Sequence, residues 1–184
     1  MSLGRFWTPS NVLSLFRLIL ALPLGIALWN EAEPVGVLTL MLAAIVTDAF
    51  DGHLARRRNE VTEWGKVLDP LADKICIGVV TLILTLQGRL PLWFAVLVLG
   101  RDGLILLGAL GVKRWLGHLP ASALPGKIAA ALVALALITA TAETEPWLGR
   151  LRLTDVLLPL SAFALLMALL DYTRRAWGAR RSRN

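Results

Sequence analysis

Apolar residues recur along the chain in six long runs, at about residues 12–29, 35–55, 66–87, 92–115, 124–141 and 154–172. Each is close to the roughly 20 mainly apolar residues that an α-helix needs to cross a bilayer. Short polar breaks separate them, among them Asn30-Glu31-Ala32-Glu33-Pro34, Gln87-Gly88-Arg89-Leu90-Pro91 and residues 143–152, all rich in turn formers. The pattern predicts an all-α, polytopic membrane protein with six transmembrane helices. Ahead of the first run, residues 2–11 hold Arg5, Phe6 and Trp7, a composition expected to lie flat at the membrane interface. This N-terminus lacks the small-residue cleavage site of a signal peptide, so the first run is expected to be retained. Without an internal repeat, linker or low-complexity segment, residues 1–184 read as a single domain.

Composition reinforces the membrane reading. Hydrophobic residues make up 57% of the chain, above the share usual in soluble domains, and mean hydropathy is +0.67. A net charge of +6 raises the question of nucleic acid, but the positions of the charges argue against it. Lys and Arg sit in short segments between apolar runs and in the tail from Arg174 to Arg183, with no interleaved aromatic platform of the kind single strands stack on. One set of loops holds Arg56, Arg57, Arg58, Lys66, Lys113, Arg114 and Lys127, and the opposite set is mixed in charge. The excess of basic residues places the first set and both termini in the cytoplasm. The seven tryptophans fall mostly near run ends, as interfacial belts require. Cys76 is the sole cysteine, so the chain has no internal disulfide framework, and in an apolar run it reads as an inert buried thiol.

One place violates the membrane pattern. Asp48, Asp51, Asp69 and Asp73 lie in or at the ends of the second and third runs, where a charge costs about 2.5–3.5 kcal/mol at the bilayer centre. They need partners or cations. Asp48 and Asp51 are three residues apart and Asp69 and Asp73 four, so on helices each pair shares a face. A polar turn between the runs sets the two pairs opposite each other near the membrane surface. Such an all-oxygen cluster suits Mg²⁺ or Mn²⁺ rather than zinc or copper. Gly52, Ala55 and Gly65 lie within a turn of these acids; their lack of bulk admits a close approach by helix or ligand, and Arg56 suits a phosphate. Simple pairing with Arg56, Arg57, Lys66 and Lys74 would explain any one aspartate, but not four in register with small residues. His53 and His118 lack the spacing of a metal pair and read as surface or packing residues.

From Asp48 the chain spells DAFDGHLARRRNEVTEWGKVLDPLADK: D-x-x-D-G-x-x-A-R, eight further residues, then G-x-x-x-D-x-x-x-D. This resembles the signature of the CDP-alcohol phosphatidyltransferases, with every fixed position present. The resemblance implies two divalent ions, Mg²⁺ or Mn²⁺, held by Asp48, Asp51, Asp69 and Asp73. Asp73 is also implied as the base on the acceptor hydroxyl, and Gly52, Ala55, Arg56 and Gly65 as the site for the CDP part of a CDP-diacylglycerol donor. It further implies a bacterial-type inner-membrane location with the site on the cytoplasmic face, and commonly a homodimer.

The acceptor depends on residues outside that signature. Thr8-Pro9-Ser10-Asn11-Val12-Leu13-Ser14-Leu15-Phe16-Arg17 resembles the T-P-N-x-L-T-x-x-R segment of the members that use glycerol 3-phosphate, and residues 58–74 are also close to them. An acidic acceptor needs cations, and Arg17, Arg101 and Lys127 are the candidates. For Arg101, a salt bridge to the adjacent Asp102 is an equal reading. Two features depart from those members: Gly126-Lys127 is followed by Ile128-Ala129-Ala130-Ala131 instead of a further lysine, threonine and glutamine, and residues 100–108 resemble the cardiolipin synthases. The expectation is transfer to glycerol 3-phosphate, with phosphatidylglycerol or inositol phosphate as the alternative acceptor. Intramembrane acids also mark metal-ion transporters, but here they cluster at one end of two runs rather than along several.

Overall fold

The computed structural model describes residues 8–58, 65–116, 124–142 and 152–181, and every element among them is a helix. They are α1 (Pro9–Trp29), α2 (Pro34–Arg58), α3 (Gly65–Leu86), α4 (Leu92–Leu116), α5 (Leu124–Ala142) and α6 (Leu153–Arg181). Each coincides with one of the six apolar runs. Three of them are long and apolar enough to cross a membrane, over Asn11–Trp29, Leu124–Ala142 and Leu153–Arg175, and Pro34–Thr47 forms a shorter apolar stretch. Large apolar side chains such as Leu22, Leu92 and Phe163 face outward, an arrangement suited to lipid rather than water. The chain is an all-helical membrane protein.

Local chemistry explains the helix ends. Thr8 is in extended conformation and its side-chain oxygen accepts the Asn11 N–H at 3.3 Å, with Pro9 in the first turn; hydroxyl cap and proline satisfy or remove the orphan donors there. Residues 9–11 therefore belong to α1 with Thr8 as its cap, and residues 2–7 of the expected interfacial segment lie outside the described residues. At the other end Glu31 turns left-handed (φ 49°). The Ala32 N–H then reaches the Ala27 carbonyl at 2.9 Å and the Glu31 N–H the Leu28 carbonyl at 3.1 Å, which is a Schellman closure. Pro34 opens α2 immediately afterwards. α6 begins with the Arg152 N–H donating to the Asp155 carboxylate at 2.9 Å, half of a capping box. It runs past Tyr172 to Arg181 because basic residues end an apolar run without breaking a helix.

The chain divides into two compact units, 1–87 and 88–184. In the first, α1 packs on both α2 and α3, burying Ala21, Leu24 and Leu28 on its own side and Ala72, Cys76, Val80 and Leu84 on α3. The Gln87 side chain closes the far end, its Nε2 donating to the Leu28 carbonyl at 2.6 Å. In the second, α6 packs on α5 and α4, and α5 buries a stripe of Ala129, Val133, Ala136 and Ala140. Small residues at helical spacing let backbones approach where the hydrophobic effect between helices is weak. Hydroxyls of Thr81, Thr85, Thr139, Thr141 and Ser161 donate to carbonyls one turn back, so none is left bare in lipid.

Gly25 is where α1 and α3 come closest: a Cβ there would lie 3.0 Å from Val79 Cγ1 and 3.6 Å from Ile83 Cδ1. Gly25→Leu is expected to destabilise the protein by about 1–3 kcal/mol through overpacking, read as a lower unfolding midpoint in detergent. Val79→Ala in the same background should restore part of it.

Candidate active site

Continuous helix through both acidic segments carries the four aspartates. α2 extends to Arg58 and so bears Asp48, Asp51, Gly52, Ala55 and Arg56 in its last turns, while α3 starts at Gly65 and bears Asp69 and Asp73. Asp48 and Asp51 thus share one face of α2, and Asp69 and Asp73 one face of α3, as the spacing requires for paired oxygen donors. The side chains of Asp48, Asp51, Ala55, Arg56 and Asp69 lie outside the described residues, as does the turn 59–64, and the expected metal cage lies there with them. Asp73 is described and is partly exposed, between buried Ala72 and Cys76.

Next to Asp73 stands α1. The Cys76 thiol, one turn along α3 from Asp73, donates to the Arg17 carbonyl at 3.4 Å, and the charges of Arg17 and Asp73 both act on that thiol. Arg17 itself is 1% exposed. It follows Thr8, Asn11 and Ser14, all buried, at a three-residue spacing that sets each beside the next while the row winds round the helix. Asn11 and Ser14 lie in the N-terminal segment that resembles the glycerol 3-phosphate-using members, with no role that the residue order assigns. The signal available was the regular spacing of polar residues in an otherwise apolar helix.

In the second unit Arg101 forms a 2.6 Å ion pair with Asp102, both less than one-fifth exposed, and its Nε is buried without a hydrogen-bond partner. Its Nη2 lies 3.8 Å from where a Gly126 Cβ would stand, so the guanidinium sits beside the first turn of α5. That position adds the positive end of a helix to its own charge. Lys127 follows and is exposed.

A family model, CDP-alcohol phosphatidyltransferase, matches residues 7–172. The chain belongs to this family. A probable phosphatidylglycerophosphate synthase of Mycobacterium tuberculosis is 36% identical over 65% of this chain, and the match covers 59% of that protein, less than two thirds of its length. A CDP-diacylglycerol–glycerol-3-phosphate 3-phosphatidyltransferase of Aquifex aeolicus is 34% identical over 91% of this chain and 94% of its own. One of the same name from Bacillus subtilis is 27% identical over 94% and 93%. In a CDP-alcohol phosphatidyltransferase an arginine half-engaged by its own neighbour invites a test. Asp102→Ala should cost about 1–3 kcal/mol by leaving the guanidinium without its acceptor, measured by thermal unfolding in detergent. The Arg101→Met, Asp102→Ala double variant should recover part of that loss.

Proposed function

We propose that the chain transfers the phosphatidyl group from CDP-diacylglycerol to glycerol 3-phosphate, giving phosphatidylglycerophosphate and CMP. The observation that carries this reading is the intact D-x-x-D-G-x-x-A-R…G-x-x-x-D-x-x-x-D set on two continuous helices, in a chain that matches the Aquifex enzyme almost end to end. Asp73 accepts the proton of the acceptor hydroxyl. The hydroxyl oxygen then forms a bond to the diacylglycerol-linked phosphorus as the bond from that phosphorus to the CMP oxygen breaks, and CMP leaves with the electron pair. Gly52, Ala55, Arg56 and Gly65 bind the CDP moiety, small residues admitting the nucleotide and Arg56 facing its phosphates. The donor set of Asp48, Asp51, Asp69 and Asp73 is all hard oxygen, carried in pairs on α2 and α3, which fits Mg²⁺ or Mn²⁺. When bound, the ions supply charge neutralisation at the pyrophosphate. Arg101 and Lys127 are the candidates for the acceptor's phosphate.

On this reading all six helices span the inner membrane, with both termini and the site cytoplasmic, as the basic loops dictate. A second reading keeps the chemistry and changes the acceptor to phosphatidylglycerol, favoured by Gly100-Arg101-Asp102-Gly103 and by the missing lysine after Lys127.

Purified protein given CDP-diacylglycerol with each alcohol in turn should yield phosphatidylglycerophosphate, identified by mass. Cardiolipin formed from phosphatidylglycerol instead would decide for the second reading. Asp73→Asn should lower CMP release by about 10²–10⁴-fold, the range of general-base catalysis, while the unfolding midpoint shows an intact fold. Normal turnover in that variant would remove Asp73 from its role. A chelator should abolish turnover and added Mg²⁺ or Mn²⁺ restore it; activity indifferent to chelation would refute the metal assignment.

A further inference from the structure

The buried polar stripe of α1 has no part in the chemistry above. Asn11, Ser14 and Arg17 are 2%, 0% and 1% exposed, and Arg17 is the bulkiest side chain among the described residues to be buried so fully. Removing a guanidinium from water costs several kcal/mol unless negative charge and hydrogen-bond acceptors surround it. Its Nε and Nη1 are buried without a hydrogen-bond partner, so nearby negative charge is what can offset the cost. The Arg17 carbonyl receives the Cys76 thiol at 3.4 Å, Cys76 lies three residues from Asp73 on one face of α3, and Arg17 and Asp73 both act electrostatically on that thiol. The Arg17 backbone therefore meets α3 one helical turn from Asp73. Closed to solvent, Arg17 is badly placed to receive the phosphate of a soluble alcohol, which would have to displace the packing around it. Ser14 and Asn11, one and two turns earlier on α1, are buried as well.

We propose that Arg17 is a positioning residue, a buried cation that holds the Asp73 carboxylate in the orientation its reaction needs, and not a contact for the acceptor's phosphate. The proposal rests on Asp73 being the base. It differs from acceptor binding in which kinetic constant it moves.

Arg17→Met removes the charge at similar length, and Arg17→Lys keeps it. Positioning requires Arg17→Met to lower kcat about a hundredfold, the cost of misplacing a catalytic group by about 1 Å. The KM for glycerol 3-phosphate should stay within about twofold, as for an interaction felt only in the transition state. Arg17→Lys should recover most of the turnover. A large rise in that KM with kcat retained would mean direct acceptor contact and overturn the proposal. A lower unfolding midpoint with unchanged turnover of the folded enzyme would overturn it equally.

A second measurement needs no turnover: unfolding midpoints in detergent for Arg17→Met, Asp73→Asn and the double variant. Interacting residues give a double variant whose shift departs from the sum of the single shifts, and additive shifts overturn the proposal. Absence of turnover in the unsubstituted protein would instead refute the reaction proposed above. The unfolding cycle then decides the Arg17–Asp73 interaction alone, non-additivity supporting it and additivity ending it.

Discussion

Leaving a polar group unsatisfied in hydrocarbon costs several kcal/mol, and the rest of this protein is organised around that constraint. It makes every described element a helix, because only a helix satisfies its own backbone within one segment. It explains why Thr8 and Asp155 cap helix starts, why the turn after Trp29 closes through two backbone bonds, and why Gln87 donates to the Leu28 carbonyl. It also makes the carboxylates conspicuous. Four acids near the ends of two apolar helices are tolerated only where something positive meets them.

Within the first unit the same constraint links fold to chemistry. α1 packs against both helices that carry the aspartates, and its polar face is buried rather than turned to solvent. A lipid-facing helix would keep such residues outside the bilayer; here they give up hydration inside the first unit, and the Arg17 carbonyl meets α3 at Cys76. Gly25 permits that proximity further along, since a side chain there would press on Val79. In the second unit the small-residue stripe of α5 does similar work for its contact with α6, and Arg101 is set beside the first turn of α5.

Much of this was legible in the residue order. Apolar runs marked all six helices, because the length of a span is imposed by bilayer thickness and leaves a long unbroken signal. The acidic signature, which carries the family resemblance, was legible for a similar reason: carboxylates are so costly in lipid that their spacing stands out from the background. The ends were less legible. Hydropathy stopped reading α6 at Tyr172, where arginines replace leucines, although the backbone remains helical to Arg181, and it placed Pro9 to Asn11 outside α1 although Thr8 caps them into it.

Sequence alone determined the helical membrane architecture, the family and the four acidic positions, since each follows from local composition and from spacing along one chain. Which side chains are buried, and beside what, only the tertiary structure decided. A basic residue such as Arg17 reads the same in sequence whether it faces a soluble substrate or a neighbouring helix. Its enclosure beside Cys76 and Asp73 arises from residues 59 and 56 positions away in the chain, brought together by packing that no local pattern encodes.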